Sequence, residues 1–282
     1  MRDDVFKRIL RTGRMLAVLA LAGSYGWSPV SAATTSAQSP ALGAHTLLAQ
    51  SEGKGVSPAM TTVLTTQDSG SSLLMFDAGW ASNSQPPTDS AGNTWKQVAH
   101  DVFRGYQDRF DARAWVATTA HGGSDHTVRA IKNGNPAGET TLGLVEIHNA
   151  GILQDMASNY PAPNVFNRFL AWLVQPFNDH RQERYGGTAR LTSGAVTTTG
   201  PATLIAVWWG DAPVYRMTAV PDNGFKMIDH YLTLPPNSGV QCAVASREVA
   251  AAGTYRVTWT GRPAQGAILW LFAFQSRQGP AG

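Results

Sequence analysis

The sequence predicts an all-β fold: a jelly-roll-like β-sandwich built from two related halves, with one helical insert between them. Three observations predict it. First, runs rich in β-branched and aromatic residues, "SLLMFDAGW", "WKQVAHDVF", "ARAWVATTA", "HTVRAI" and "TLGLVEIHNA", recur between clusters of Gly, Pro, Asn and Asp, the pattern of strands punctuated by turns. Second, after an interruption the pattern resumes with "ATLIAVWWG", "FKMIDHYLTL", "VQCAVASREV", "GTYRVTWTG" and "AILWLFAFQ". Third, the two series keep a common offset. Leu74 and Leu204, Asn93 and Asn223, Trp95 and Phe225, Lys96 and Lys226, Val98 and Ile228, His100 and His230, and Val102 and Leu232 all stand 130 apart. Val128 and Val257 are 129 apart, and Leu144 and Trp270 are 126 apart. A spacing held over two strands and a turn points to an internal duplication.

The elements follow in chain order. Residues 1–32 read as an export signal, because Lys7, Arg8, Arg11 and Arg14 precede the apolar run "MLAVLALAG", which leads to "VSA" and a cleavage expected after Ala32. That run falls short of the roughly 20 apolar residues of a spanning helix. The expected product is therefore a secreted or periplasmic chain with no transmembrane segment. Residues 33–58 are small, polar and broken by Gly and Pro, which predicts a flexible leader. The sandwich is expected over 59–278, with repeat halves at about 61–150 and 196–276. Between them, "NVFNRFLAWLVQPF" sets Phe166, Phe169, Leu170 and Leu173 at helical spacing, with Asn164 placed to cap and Pro176 to stop a helix over 164–177.

Composition narrows the function classes. The chain is 43% hydrophobic and 15% charged, ample for a buried core. Its 22 Lys and Arg exceed its 19 Asp and Glu. However, residues 1–32 hold five of the basic residues (Arg2, Lys7, Arg8, Arg11, Arg14) and two of the acidic ones (Asp3, Asp4), leaving 17 of each sign. With no basic run in that remainder, nucleic acid is not an expected partner. The lone Cys242 has no disulfide partner within the chain, so packing must supply the stability.

Two turn clusters, "DSAGNTW" and "PDNGF", each precede a strand. Asp and Asn side chains bond nearby backbone amides, and Gly92 and Gly224 supply a positive φ. In the strand that follows, Lys96, Val98, His100 and Val102 are expected on one face, because strand side chains alternate.

The first of these turns carries a resemblance. Asp89, Ser90, Gly92, Asn93 and Trp95, then Glu146, Gly224 and Phe225, then Gly253, Tyr255 and Thr258, and finally Ala273 and Phe274 resemble the "DSxGNxW" pattern and later strands of a mostly uncharacterised group of exported bacterial proteins. The resemblance spans about residues 60–276 and implies a lectin-like or jelly-roll sandwich with no established activity. The chain departs from the group at "EIHNAG", where Gly151 comes later, and in its helix-like insert.

Candidate chemistry is sparse. Glu146 lies mid-strand with Leu142, Leu144 and His148 on its face. A buried carboxylate there needs a partner, either an arginine such as Arg113 or Arg129, or His148 in a catalytic or metal-binding pair. Asp77 is the other strand carboxylate, and glycosidic chemistry would require the two acids about 5–9.5 Å apart. His121, Asp125 and His126 in "HGGSDH" offer metal-ligand types without a recognised ligand spacing; a solvated turn is the competing reading. Asp89 and Asn93 have oxygens that suit calcium, but too few donors stand close together for a convincing loop. No cofactor is implied. Adjacent Trp208 and Trp209 must point to opposite faces of a strand, so one of them is a candidate platform for a sugar ring.

These features favour an exported, non-enzymatic binding module for carbohydrate or a cell-surface polymer, with Trp208, Trp209, Asp89, Asn93 and Trp95 as contact candidates. The alternatives are an assembly subunit of a matrix, fibre or coat, self-associating through Phe166 and Phe169, and a hydrolase using Glu146 with Asp77 or His148.

Overall fold

The computed structural model describes residues 38–50, 59–80, 85–106, 108–130, 140–161, 188–211, 214, 216–222, 224–234 and 240–277. The expected signal and helical insert, with Phe166 and Phe169, lie outside the described residues. Among these residues the regular structure is all strand, and no helix is long and apolar enough to cross a membrane.

The first half runs β1 (Ala41–Gln50), β2 (Ala59–Met60), β3 (Ser69–Trp80), β4 (Thr88–Asp89), β5 (Lys96–Val102), β6 (Phe110–His121), β7 (Val128–Ala130) and β8 (Thr140–His148). The second runs β9 (Ile152–Asn159), β10 (Thr188–Thr192), β11 (Val196–Thr198), β12 (Ala202–Gly210), β13 (Thr218–Pro221), β14 (Lys226–Tyr231), β15 (Cys242–Val249), β16 (Gly253–Tyr255), β17 (Thr258–Gln265) and β18 (Ala267–Gln275). Two five-stranded antiparallel sheets dominate, ordered β1-β8-β3-β6-β5 and β9-β18-β12-β15-β14. Two three-stranded sheets accompany them, β2-β7-β4 and β10-β17-β13, and β11 pairs with β16. Each strand of the first half thus has a counterpart at the same place in the second.

Side-chain clusters give the layer order. Leu73, Met75, Trp95, Trp115, Leu142 and Leu144 pack with Ala59, Val128 and Ala130 between the first large sheet and β2-β7-β4. Leu204, Ala206, Trp208, Leu269 and Leu271 pack with Leu191, Ala219 and Trp259 between the second large sheet and its small one. The third cluster lies between the two large sheets, where Leu74, Phe76, Val145 and Ile147 meet Ile205, Val207, Trp209, Val244, Trp270 and Phe272. The chain is therefore two sandwiches back to back, in four layers. Both faces of each large sheet are covered, so β12 and β18 are buried along their whole length. An aromatic run crosses the seam: Phe76 meets Trp209 edge-on at 5.8 Å, Trp209 meets Trp270 at 6.0 Å, and Trp270 meets Phe272 at 6.2 Å.

Local geometry repeats as well. A register shift lies between Gln97 and Ala99 in β5, and another between Met227 and Asp229 in β14, leaving Val98 and Ile228 as bulge residues at an offset of 130. The alternation expected along Lys96, Val98, His100 and Val102 is broken here, because the extra residue turns Val98 and Ala99 both toward the seam. Thr61 N donates to Val128 O and the Thr61 hydroxyl accepts from Val128 N, both at 3.0 Å. Ser193 and Val257 repeat that reciprocal pair at 2.8 and 3.1 Å. Gly92 and Gly224 hold φ of 72° and 75°, as their turns require.

Register also corrects two sequence matches. Leu74 faces the seam but Leu204 faces the outer core. Leu74 pairs with Val116 and Val145, and Ile205 pairs with Ser246 and Phe272. The true counterpart of Leu74 is thus Ile205, at an offset of 131. Leu144 likewise corresponds to Leu271 rather than to seam-facing Trp270.

The expected leader over 33–58 is corrected too, because residues 41–50 form edge strand β1 against β8. Gly43 and Ala44 interrupt its register between Leu42 and His45, which hid its alternation. The first half therefore begins at 41, and the second at 152 with β9.

Candidate functional site

The "DSAGNTW" turn is closed upon itself. Asp89, its side chain inaccessible to solvent, accepts from Ala91 N at 2.8 Å, Asn93 N at 3.1 Å and Trp95 Nε1 at 2.7 Å. Burial alone would raise its carboxyl, but the adjacent His126 imidazole and these donors outweigh it and lower it to about 2. Asn93 clamps the end of β6, its Oδ1 accepting from His121 N at 2.7 Å and its Nδ2 donating to His121 O at 2.8 Å. Trp95 is 6% exposed. These three residues, expected as ligand contacts, instead staple the β4–β5 connection to β6.

Glu146 is fully buried, and its partners are neither Arg113 nor Arg129. Its carboxylate accepts from Gln67 N at 2.7 Å, Ser71 Oγ at 2.7 Å and Ala44 N at 3.1 Å, with His148 Nε2 also at 3.1 Å. A Cβ on Gly43 would lie 2.7 Å from this carboxylate, so glycine is what lets the β1 bulge close over it. Ser71 and the two amides mark Glu146 as a brace between β1, β8 and the approach to β3. Asp77 lies on the same face but pairs with Leu142, four residues along β8 from Glu146. That separation is roughly 13 Å at about 3.3 Å per residue, beyond the range for a glycosidase pair.

"HGGSDH" does not converge. His126 is buried with Nδ1 2.9 Å from Thr66 Oγ1, while His121 and Asp125 are exposed. Among the described residues no group of three His, Cys, Asp or Glu is placed to hold a metal ion. Trp208 and Trp209 do point to opposite faces, but neither reaches solvent. Trp208 stacks on Trp259 in the outer core at 6.5 Å, and Trp209 lies in the seam. A stacking platform was expected on one of these faces, but the four-layer packing covers both.

Among the described residues two carboxyls carry raised pKa values. Burial pushes Asp77 up to about 7, against the pull of the neighbouring Arg113 guanidinium. Arg113 itself reaches Asp111 Oδ2 at 2.9 Å and Gln97 Oε1 at 3.2 Å. Burial also pushes Asp211 up to about 6, although the Tyr160 hydroxyl donates to it at 2.5 Å and Gly105 N at 2.7 Å. Asp211 joins the halves, since it follows β12 and holds the β5–β6 hairpin. The sequence singled out Asp77 but not Asp211; "WWGDAP" shows only an acid after a strand, and its partners lie 51 and 106 residues away.

An open cleft remains. It lies where β9 crosses the seam-facing side of β5 and β6, and it encloses about 450 Å³. Val98, Val116, Ile152 and Leu153 form an apolar wall, and Thr94, Lys96, Thr118 and Arg277 supply polar groups. Sequence reading missed it because its lining comes from four separated segments whose meeting depends on the packing of the two large sheets.

No protein-family model, curated protein or solved structure matches this chain.

Proposed function

We propose that the protein is an exported, non-enzymatic recognition module that binds a carbohydrate or cell-surface polymer in the cleft beside β9. The carrying observation is the cleft itself. Its volume lies within the range of roughly 300–1,000 Å³ typical of ligand sites, and its aliphatic wall and flanking hydrogen-bonding groups suit the two kinds of surface a sugar presents. Glu146 and Asp89 are already saturated by internal donors, which favours binding over catalysis at those carboxylates. We further infer jelly-roll-type wiring for each half. Eight strands of each half divide between a five-stranded and a three-stranded sheet, with first and last strands adjacent in the larger one, and the second half adds the β11–β16 pair. Export rests on the N-terminal segment, whose basic and apolar parts lie in signal-peptide order.

The test is a glycan-array screen of the full chain beside Val98→Trp, which fills the cleft. Binding that is lost in Val98→Trp supports the reading. Binding that survives it places the ligand elsewhere, and binding to no glycan removes the proposal.

A further inference from the structure

We propose that the cleft is a carboxylate site and that its ligand is an acidic, uronate-bearing oligosaccharide. This rests on the reading of the cleft as the polymer-binding site. A side chain fills the corresponding position in the other half.

The register fixes the correspondence. In β1, Leu42 pairs with Ile147, two residues then stand opposite Glu146, and His45 pairs with Val145. In β9, Leu153 pairs with Phe274, two residues then stand opposite Ala273, and Met156 pairs with Phe272. Leu153 is thus the counterpart of Leu42. In β6, Ala117 pairs with Leu73, and in β15 Arg247 pairs with Leu204, so the next residue, Thr118, corresponds to Glu248, although a bulge sets Thr118 and Thr119 together opposite Ser72 where β15 has Glu248 alone opposite Thr203.

In the second half a carboxylate occupies this position. Glu248 Oε1 accepts from the backbone amide of Leu42 at 3.2 Å, tying β1 across β15. His45 Nδ1 lies 2.7 Å from Asp229 Oδ2 and joins β1 to β14 in the same region. At the equivalent crossing, the counterparts of both bonding partners, Thr118 on β6 and Leu153 on β9, line the open cleft. Threonine is too short to bring an oxygen where Glu248 brings one, and it carries no charge. The position that holds a carboxylate in one half is therefore vacated in the other, beside the counterpart amide of Leu153.

Charge points the same way. Among the described residues the lining includes Lys96 and Arg277 and no acidic side chain. Among the described residues neither cation forms an ion pair. Arg277 is an addition particular to this side, because its counterpart by the β8–β18 register is Ala150, buried in the seam. A ligand carboxylate would take the place of the Glu248 side chain, meeting the Leu153 amide with Lys96 and Arg277 nearby. The sugar ring would rest on Val98, Val116 and Leu153. Charge-assisted bonds of this kind are about twice as strong as neutral ones, so acid and neutral forms of one sugar should be told apart.

The experiment is calorimetric titration of the full chain with oligogalacturonate and with its methyl ester, which has the same rings and no charge. Wild type is expected to bind the acid at least tenfold more tightly than the ester, with affinity falling as salt rises. Lys96→Glu, an exposed site, should weaken the acid at least tenfold and the ester much less. Thr118→Glu supplies the missing carboxylate from within and should abolish acid binding while the circular dichroism spectrum is retained. Equal binding of acid and ester, lost in Val98→Trp, would overturn the carboxylate site and leave the cleft reading standing. Acid binding untouched by both Lys96→Glu and Val98→Trp would overturn both. Failure of either compound to bind while a neutral glycan binds in the cleft, or preference for a peptide C-terminal carboxylate, would overturn the uronate assignment.

Discussion

Gly143 and Trp270 occupy the same place in the two large sheets, one beside Phe76 and the other beside Val207. A Cβ on Gly143 would lie 2.2 Å from the Phe76 ring, so in the first half the bulk is on β3 and the void on its neighbour. In the second half the bulk is on β18 and the small residue on β12. The carboxylate braces are exchanged in a similar way. Glu146 on the inner strand holds the Gln67 amide at 2.7 Å, whereas Asp155 on the edge strand holds the Thr197 amide, 130 residues on, at 2.7 Å. One backbone plan has thus been kept while volume and charge moved between neighbouring strands. What a half must conserve is total packing volume and a bonded amide, not the residue that supplies either.

The largest expected effect breaks the seam. Trp270→Ala removes a fully buried ring at the centre of the aromatic run, together with its indole bond to Asp101 at 2.7 Å. It should cost about 3–5 kcal/mol in denaturant unfolding. Next come the two braces. Glu146→Ala strands the Ala44 and Gln67 amides, leaving the Ser71 hydroxyl to Gln67 Oε1 at 2.9 Å, and should cost roughly 3 kcal/mol. Asp155→Ala, with the Thr197 bond exposed, should cost about 1 kcal/mol. Equal losses would remove the distinction between an internal and a peripheral brace.

Titration sharpens the comparison further, because the counterpart of Asp77 in the second half is Trp208, which has nothing to ionise. The folded pKa of Asp77 is raised to about 7 from an ordinary 3.8, so the folded state binds the proton more tightly than the unfolded chain. The stability it contributes is complete below pH 4 and is lost as pH rises through 7. Asp211, raised to about 6, adds a loss of the same sign between pH 4 and 6. Asp77→Asn should flatten the pH 4–7 part of the stability curve and gain roughly 2 kcal/mol at pH 8. Asp89, lowered to about 2, acts in the opposite sense, its contribution fading only as pH falls from 4 toward 2.

Smaller effects come from the exchanged volumes and from the strap on β1. Gly143→Ala overpacks Phe76 and should cost about 1–2 kcal/mol, and adding Phe76→Val, the choice made in the second half, should recover part of that loss in a double-mutant cycle. Asp229→Ala removes the His45 contact, whose side chains are 31% and 23% exposed. It should cost under about 1 kcal/mol.

Much of the plan was legible in the chain. The turn glycines, the Val128–Val257 pair and the 130-residue offset of Val98 and Ile228 can be read from the residues alone, but the bulge at each of those two residues could not, because the residue types there fit a regular strand. The misread matches have one physical cause. In β3, β8, β12 and β18 both faces are buried, so the apolar residues run continuously and period two disappears. Identity then pairs Leu74 with Leu204 although they face opposite layers. The same packing made Trp208 and Trp209 look like platform candidates. β1 escaped notice because its Gly43–Ala44 bulge and polar His45 and Thr46 break the pattern of an edge strand. The cleft was illegible for another reason: its lining comes from separated segments that meet only through the packing of the two large sheets.

The two sandwiches form one unit through the buried seam. Cys242, the only cysteine, lies in that seam with no exposed surface, and burial raises its thiol well above the ordinary range. Its labelling by a thiol reagent under native conditions, followed across low denaturant, measures the opening that exposes it. The account predicts labelling only through global unfolding, with the same free energy and the same denaturant dependence as the unfolding of the whole protein. Labelling through an opening of much lower free energy and weaker denaturant dependence would show the sandwiches parting while each stays folded, and would contradict the single four-layer unit.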